Sequence, residues 1–169
     1  VGHLAKLCDG AGQTALRRLC RSCLAVAQAT QGDLAGAVAQ FRQVADEAEA
    51  VHDEFRRAAS LAHLGLILAW QGETGAARAA AAAAVEATAE FSELAAGVAH
   101  SALGAAALAA GDAAVALDAY ETGLQHASFL PQMVGRVYFA AAALAGGDLV
   151  AARRGADDAV TTTTGLFLM

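Results

Sequence analysis

A glycine followed by an acidic residue occurs four times along the chain, and this recurrence constrains the fold more than any other feature. Successive glycines of these pairs are 40, 39 and 36 residues apart. Glycine ends a helix at little steric cost, and an acidic side chain favours the start of the next helix. Each pair therefore predicts a turn between two helices, and recurrence at this period is typical of helical-repeat proteins. The pairs are Gly32-Asp33, Gly72-Glu73, Gly111-Asp112 and Gly147-Asp148.

The composition supports closely packed helices. Hydrophobic residues make up 57% of the chain but aromatic residues only 5%, because alanine supplies most of the apolar content. Alanine is the best helix former and the smallest apolar side chain, so it favours short distances between helices. A net charge of −6, with Lys6 as the only lysine, argues against a nucleic-acid-binding surface in this segment. The longest uncharged stretch, 94–111, is too weakly apolar for a membrane span.

Amphipathic spacing predicts a helix on each side of every glycine turn. Thr14 is expected to cap the first of them, and Pro131 to open the seventh, because proline is tolerated at a helix start. The β-branched run Thr161–Thr164 is expected to link two units. The predicted helices cover about residues 15–30, 34–48, 54–70, 74–90, 91–110, 113–127, 131–145 and 149–160.

The helix pattern divides the chain into three parts. Residues 1–13 are expected to be the tail of a preceding repeat or an irregular segment, 14–160 the repeat domain, and 161–169 the start of a further, truncated repeat. Solenoids normally close with polar capping helices, whereas this chain ends in an apolar stretch and begins without methionine. We therefore expect a fragment of a longer protein.

The third unit resembles a tetratricopeptide repeat. That family places Leu-Gly on the first helix, Gly-Asp at the turn, and Ala and an aromatic residue on the second helix. The matching residues are Leu103-Gly104, Ala107, Gly111-Asp112, Ala116 and Tyr120, and the other units repeat much of this pattern. The resemblance implies an all-α, right-handed α-solenoid of about four antiparallel helix pairs.

The repeat spacing departs from the usual length of about 34 residues. Longer helices of this kind are similar to the repeat region of large MalT-like bacterial transcription regulators of the LuxR group. Members of that group join an ATPase module, a helical-repeat sensor and a DNA-binding helix-turn-helix. The resemblance implies a cytoplasmic signalling segment that binds a protein partner or a small-molecule inducer and that touches neighbouring domains of the parent chain.

The first helix of each unit is expected to line the inner wall of the superhelix. A mostly apolar wall suits an amphipathic helix or a small apolar ligand, and Trp70 is the first residue to test. The alternative is that these side chains only pack against adjacent units. The candidate groove residues are Leu19, Ser22, Val26, Ala62, Leu66, Trp70, Val98, Ser101, Leu108, Val134 and Val137.

Five arginines near the starts of the first and third helices form a candidate basic rim for an acidic partner. The alternative is that they pair with carboxylates such as Asp53 or Glu54 in weak surface ion pairs. The rim residues are Arg17, Arg18, Arg21, Arg56 and Arg57.

Chemistry-bearing motifs are scarce. The side chains of four residues are of types that bind zinc, namely Cys20, Cys23, Cys8 and His3. The sequence lacks a second closely spaced pair of cysteine or histidine ligands, which zinc motifs usually contain. Cys20 and Cys23 are instead expected to be inert thiols on the buried side of a helix. The chain has no phosphate-binding loop, nucleophile elbow or zinc-protease motif. No catalytic, cofactor-binding or metal-binding residue is therefore assigned.

The sequence favours a non-enzymatic interaction or inducer-sensing module with no cofactor of its own. The alternative is a structural or oligomerisation scaffold in which apolar ends stack on other repeats or on a second copy. An all-α enzyme is the weakest hypothesis, because it needs a convergent set of polar residues that the pattern does not provide.

Overall fold

The computed structural model describes residues 13–88, 93–126 and 129–167, and these ranges are almost entirely helical. The prediction of an all-α helical-repeat solenoid is confirmed. The helices of the described ranges are α1 (Thr14–Thr30), α2 (Leu34–Glu49), α3 (Glu54–Trp70), α4 (Thr74–Thr88), α5 (Glu93–Ala109), α6 (Ala113–His126), α7 (Phe129–Ala145) and α8 (Leu149–Phe167).

Consecutive helices pack as four pairs, α1 with α2, α3 with α4, α5 with α6, and α7 with α8. The second helix of each pair also packs against the first helix of the next pair. Among the first helices, α3 lies along α5, whereas α5 contacts α7 much less over the described residues. The core therefore continues from pair to pair, as expected of stacked repeats.

The four glycine turns share one backbone geometry. Gly32, Gly72, Gly111 and Gly147 have φ angles of 87°, 79°, 80° and 80°. At the third turn the Asp112 N–H donates to the Ala107 carbonyl at 2.9 Å, and the Gly111 N–H donates to Leu108 at 3.0 Å. This pair of bonds is the Schellman motif, which requires the left-handed conformation that glycine adopts most easily.

The acidic residue of the turn also begins the next helix. The Asp112 carboxylate accepts a hydrogen bond from the Val115 N–H at 3.2 Å, and Asp33 and Asp148 accept from Gly36 and Ala151 at 2.9 Å. One residue thus ends a helix with its backbone N–H and caps the next with its side chain. The predicted caps at Asp33 and Asp148 are confirmed.

A turn of the same kind, but without glycine, joins the first two units. His52 has a φ of 55°, and the Asp53 N–H donates to the Ala48 carbonyl at 2.9 Å. The Asp53 carboxylate accepts from the Arg56 N–H at 3.1 Å. Sequence analysis missed the left-handed residue here because histidine rarely adopts this conformation, although it does so more often than most residues.

Small residues allow the helices of a pair to approach closely. In the third unit, a Cβ atom on Gly104 would lie 2.8 Å from the ring of Tyr120, which is fully buried. In the second unit, a Cβ atom on Gly65 would lie 3.1 Å from the Ala77 carbonyl oxygen. Gly65 of the second unit therefore faces the backbone of the alanine-rich helix α4, whereas Gly104 of the third unit faces an aromatic ring.

Three predicted helix boundaries were wrong. Thr14 lies inside α1, whose N-cap position is Gln13 and carries no side-chain cap bond. α7 begins at Phe129, so Pro131 lies in its first turn, where the missing N–H costs no helical hydrogen bond. The expected link Thr161–Thr164 is helical because α8 continues to Phe167.

The first two threonines of the run bond within the helix through their hydroxyl groups. Thr161 Oγ1 donates to the Asp157 carbonyl at 2.9 Å, and Thr162 Oγ1 donates to the Asp158 carbonyl at 2.7 Å. Such bonds to the residue four positions earlier satisfy the hydroxyl group without ending the helix. The tripartite division of the chain stays a prediction, but residues 161–164 do not separate two helices.

The geometry of the glycine turns leads to a stability prediction. Gly111→Ala should lower the free energy of unfolding by about 1 kcal/mol or more, because alanine is strained at positive φ. Gly75→Ala is the matched control, since Gly75 lies in α4 at an ordinary φ with open space around its Cα. That change should raise the free energy of unfolding by about 0.5–1 kcal/mol. Urea denaturation of both variants tests this, and equal effects would contradict it.

Candidate functional site

Two neighbouring cavities lie on the side of the solenoid lined by the first helices. The first, which we name the central cavity, has a volume of about 170 Å³ and lies between α3, α5 and α7. Its wall is largely apolar, it is partly open to solvent, and three consecutive units contribute to it. The lining residues are Ala62, His63, Leu66, Val98, Ser101, Ala102, Gly135 and Tyr138.

The second cavity, which we name the N-terminal cavity, has a volume of about 280 Å³ and lies between α1, α2 and α3. It is more open than the central cavity and carries one cationic side chain, Arg56. His63 lines both cavities and so stands on the wall that they share. The lining residues are Ser22, Cys23, Val26, Phe41, Arg56, Ala59, Ser60 and His63.

His63 is held by a stacking contact and a hydrogen bond. Its ring stacks on Phe41 with 5.1 Å between centroids and 15° between planes. Its Nδ1 lies 2.7 Å from the Ala59 carbonyl oxygen. Because a carbonyl oxygen only accepts hydrogen bonds, the geometry assigns the proton to Nδ1. In the neutral ring, Nε2 at the opposite edge is then a hydrogen-bond acceptor.

Tyr138 connects the central cavity to the core of the third unit. Its ring stacks on Tyr120 with 5.8 Å between centroids and 9° between planes. Within the part of the chain that the structure describes, the Tyr120 hydroxyl is buried without a hydrogen-bond partner. Burial, with a smaller effect from Tyr138, raises the pKa of Tyr120 far above its usual value. Tyr138 thus joins the wall of the cavity to the buried ring of Tyr120.

The structure places six of the predicted groove residues at the two cavities. Ala62, Leu66, Val98 and Ser101 line the central cavity, and Ser22 and Val26 line the N-terminal cavity. The expectation that first helices of neighbouring units face one surface therefore matches the geometry. Whether this surface binds a partner stays a prediction.

The other predicted groove residues lie elsewhere. Leu19, Trp70 and Val137 are exposed but belong to neither cavity. Leu108 packs against the cluster around Tyr120, and the side chain of Val134 lies outside the described residues. Trp70 is the last residue of α3 and is 49% exposed, so it is a poorer first choice for mutation than Leu66.

Sequence analysis missed the residues that give the cavities their chemistry. Neither His63 nor Tyr138 is among the predicted groove residues. Both lie next to predicted groove residues, Ala62 and Val137. The sequence did contain a signal for the cavity. In two different units, a polar or aromatic side chain directly follows a predicted groove residue.

Four of the five rim arginines form intramolecular ion pairs, which corresponds to the ion-pair alternative. Glu47 binds Arg21 at 2.8 Å and Arg17 at 3.4 Å, and Asp53 binds Arg18 at 3.3 Å. Arg57 likewise pairs with carboxylates of α2 and α3. These contacts join α1 to α2 and to the turn before α3, so the arginines contribute to packing between elements.

Arg56 differs from the other four rim arginines. It lines the N-terminal cavity, and no carboxylate of the described residues lies within ion-pair distance of it. Of the predicted basic rim, Arg56 is therefore the side chain best placed to meet an anionic group of a partner.

The cysteine prediction was wrong for one residue. Cys20 is half-buried, but Cys23 is exposed and lines the N-terminal cavity. Cys8 and His3 lie outside the described residues. Over the described ranges, no three histidine, cysteine or acidic side chains are grouped as metal ligands, and no helix is both long and apolar enough to cross a membrane.

A pair of histidines links α5 to α6 away from both cavities. The rings of His100 and His126 stack with 6.4 Å between centroids and 20° between planes. Burial lowers the pKa of His100 from its ordinary value of 6.5, His126 lowers it further, and Asp118 opposes the shift. Protonating both rings would place two positive charges in contact, so this pair is sensitive to acid.

Comparisons with known proteins show similarity to part of much longer proteins. It is similar to proteins named "Putative HTH-type transcriptional regulator" in Mycobacterium bovis and Mycobacterium tuberculosis, with 37% identity over 165 residues. The alignments cover 96% of this chain but only 19% of each relative. No protein-family model matches the chain.

A solved structure shares the fold. The crystal structure of BtubC (BKLC) from P. vanneervenii matches with a TM-score of 0.69, over 90% of this chain and 65% of that chain. The sequence identity is 16%, so the likeness concerns the fold alone. It agrees with the helical-repeat architecture.

The histidine pair leads to a prediction about acid stability. Because the folded pKa of His100 lies below 6.5, the unfolded state binds more protons as the pH falls below that value. The free energy of unfolding should therefore decrease from about pH 6.5 downwards. His100→Gln removes the titrating ring and should reduce the loss measured by urea denaturation between about pH 7.5 and pH 5. Equal losses in the two proteins would contradict this assignment.

Proposed function

We propose that this chain is the helical-repeat region of a larger transcription regulator and that it serves there as a ligand- or partner-sensing module. The similarity to mycobacterial transcriptional regulators supports a regulatory role. The chain aligns with only 19% of those proteins, which suits one module among several. The tetratricopeptide-like pattern and the MalT-like LuxR-group resemblance are part of this proposal, as is a cytoplasmic location.

The observation that carries the proposal is the central cavity. Its lining comes from α3, α5 and α7, which belong to three successive units. A bound molecule would contact all three helices at once and would favour one relative packing of the units over others. Binding energy that differs between two packings shifts their populations, and this is sufficient for regulation.

The sensing step needs no catalysis and no cofactor in this proposal. Among the described residues that line the central cavity, three have polar side chains, and these are His63, Ser101 and Tyr138. Ser101 Oγ donates to the Gly97 carbonyl at 2.9 Å within its own helix, so its hydroxyl proton is already engaged. The set does not form a nucleophile–base pair of the kind that acyl transfer requires.

Exposed apolar side chains on α8 favour a second role, stacking on a further repeat or on another protein. Leu149, Val150 and Val160 are 68%, 82% and 66% exposed. Apolar residues on one terminal helix of a repeat array are covered when the next repeat packs there. This role is compatible with sensing, because a stacked neighbour would receive any change in packing.

A chimera tests the regulatory role. The 165-residue aligned segment of the M. tuberculosis relative is replaced by this chain, and transcript levels are compared with those of a strain lacking the segment. We expect the chimera to restore transcripts that the deletion alters, because the two segments share 37% of their residues. A chimera present at normal abundance but equivalent to the deletion would contradict the proposal.

A cavity-filling variant tests whether the central cavity matters for that role. Ser101→Leu places an apolar side chain in the cavity and should abolish the rescue by the chimera. Thr122→Leu is the matched control, because Thr122 Oγ1 donates to the carbonyl four residues earlier as Ser101 does, but lies outside both cavities. Rescue by both variants would exclude the cavity from the function.

A further inference from the structure

The volume of the central cavity limits the size of its ligand. A cavity of about 150 Å³ lined by apolar side chains is known to bind benzene. The central cavity measures about 170 Å³, so one aromatic ring with a small substituent, or a compact fused pair, fits it. A helix of a protein partner is much wider than this space.

The lining excludes charged and polyhydroxylated ligands. Apolar side chains dominate the described lining, which includes no arginine or lysine, and Arg56 lines the N-terminal cavity instead. A carboxylate in the central cavity would therefore lose its hydration without gaining a counter-ion, which is costly. A sugar would leave most of its hydroxyl groups without partners for the same reason.

His63 supplies one specific polar contact. Its Nδ1 proton is directed to the Ala59 carbonyl at 2.7 Å, and the stack on Phe41 at 5.1 Å fixes the plane of the ring. His63 lines the central cavity, and in this tautomer its Nε2 carries no proton and is able to accept a hydrogen bond. A ligand that carries an O–H or N–H group satisfies this acceptor, whereas a plain hydrocarbon leaves it unpaired.

We propose, building on the sensing function above, that the central cavity binds a small neutral aromatic molecule whose O–H or N–H group donates a hydrogen bond to His63 Nε2. Phenols and indole have this chemistry. Leu66 and Val98 contact the faces of the ring, and Tyr138, held by its stack on Tyr120, closes the side formed by α7.

The test is titration of the purified chain with phenol, indole, toluene and benzoate, followed by NMR chemical shifts and calorimetry. Phenol and indole should bind saturably, and phenol should bind about tenfold more tightly than toluene, as expected for one hydrogen bond. Benzoate should bind least. Absence of saturable binding by both phenol and indole would overturn the proposal.

Two variants locate the binding and its specific contact. Ser101→Leu should abolish phenol binding while Thr122→Leu retains it, and circular dichroism confirms that both are folded. His63→Phe keeps a ring to stack on Phe41 but removes the acceptor, so the ratio of phenol to toluene affinity should fall to about one. An unchanged ratio would exclude His63 as the recognition group, and unchanged binding in Ser101→Leu would exclude the cavity.

These results are distinguishable from failure of the sensing function. If the wild-type chain binds neither phenol nor indole but Ser101→Leu still abolishes rescue by the chimera, the cavity senses a ligand of another class and only the present inference is wrong. If phenol binds as described but the Ser101→Leu chimera rescues transcription, the binding site stands and the sensing role is wrong.

Discussion

The structure depends on a two-residue turn in which one acidic residue serves two helices. Asp112 closes α5 with its backbone N–H and caps α6 with its carboxylate, while Gly111 supplies the positive φ between them. Because the turn is short and is hydrogen-bonded to both helices, it fixes the distance and register of the paired helices. Small residues such as Gly104 and Gly65 can then face the partner helix at van der Waals distance in each unit.

The sequence predicted the parts of the fold that depend on local chemistry. Glycine turns, acidic caps and helical periodicity are each encoded by residues that lie close together in the sequence. The helix pairs were therefore predicted correctly. The errors occurred where local preference competes with other bonds. His52 adopts a conformation usual for glycine because the Asp53 N–H and carboxylate bond both flanking helices. Thr161 and Thr162 continue α8, and their hydroxyl groups bond to carbonyls four residues earlier in the same helix.

The candidate site was only partly predictable, because a cavity depends on distances between helices that no local pattern encodes. Periodicity identifies the face of α3 that carries Leu66, and the same face of α5 that carries Val98. Periodicity does not show that α5 packs along α3 and contacts α7 much less over the described residues. The central cavity lies beside Tyr138, where these three helices meet. Trp70 lies on the same helix as Leu66 but at its end, beyond the cavity.

The position of the cavity gives the proposed sensing function a physical route from a small ligand to the packing of the repeats. Allosteric coupling energies are commonly about 1–3 kcal/mol, which one buried aromatic ring is able to supply. Of the two contacts between first helices that surround the cavity, the contact between α5 and α7 involves fewer of the described residues. Tyr138 stands at this contact and stacks on Tyr120, whose ring packs against Gly104 in the core of the third unit. In the proposed function, a ligand that fixes Tyr138 would act on the packing between the third and fourth units, and the exposed apolar residues of α8 would offer a surface through which that change could reach another repeat or protein.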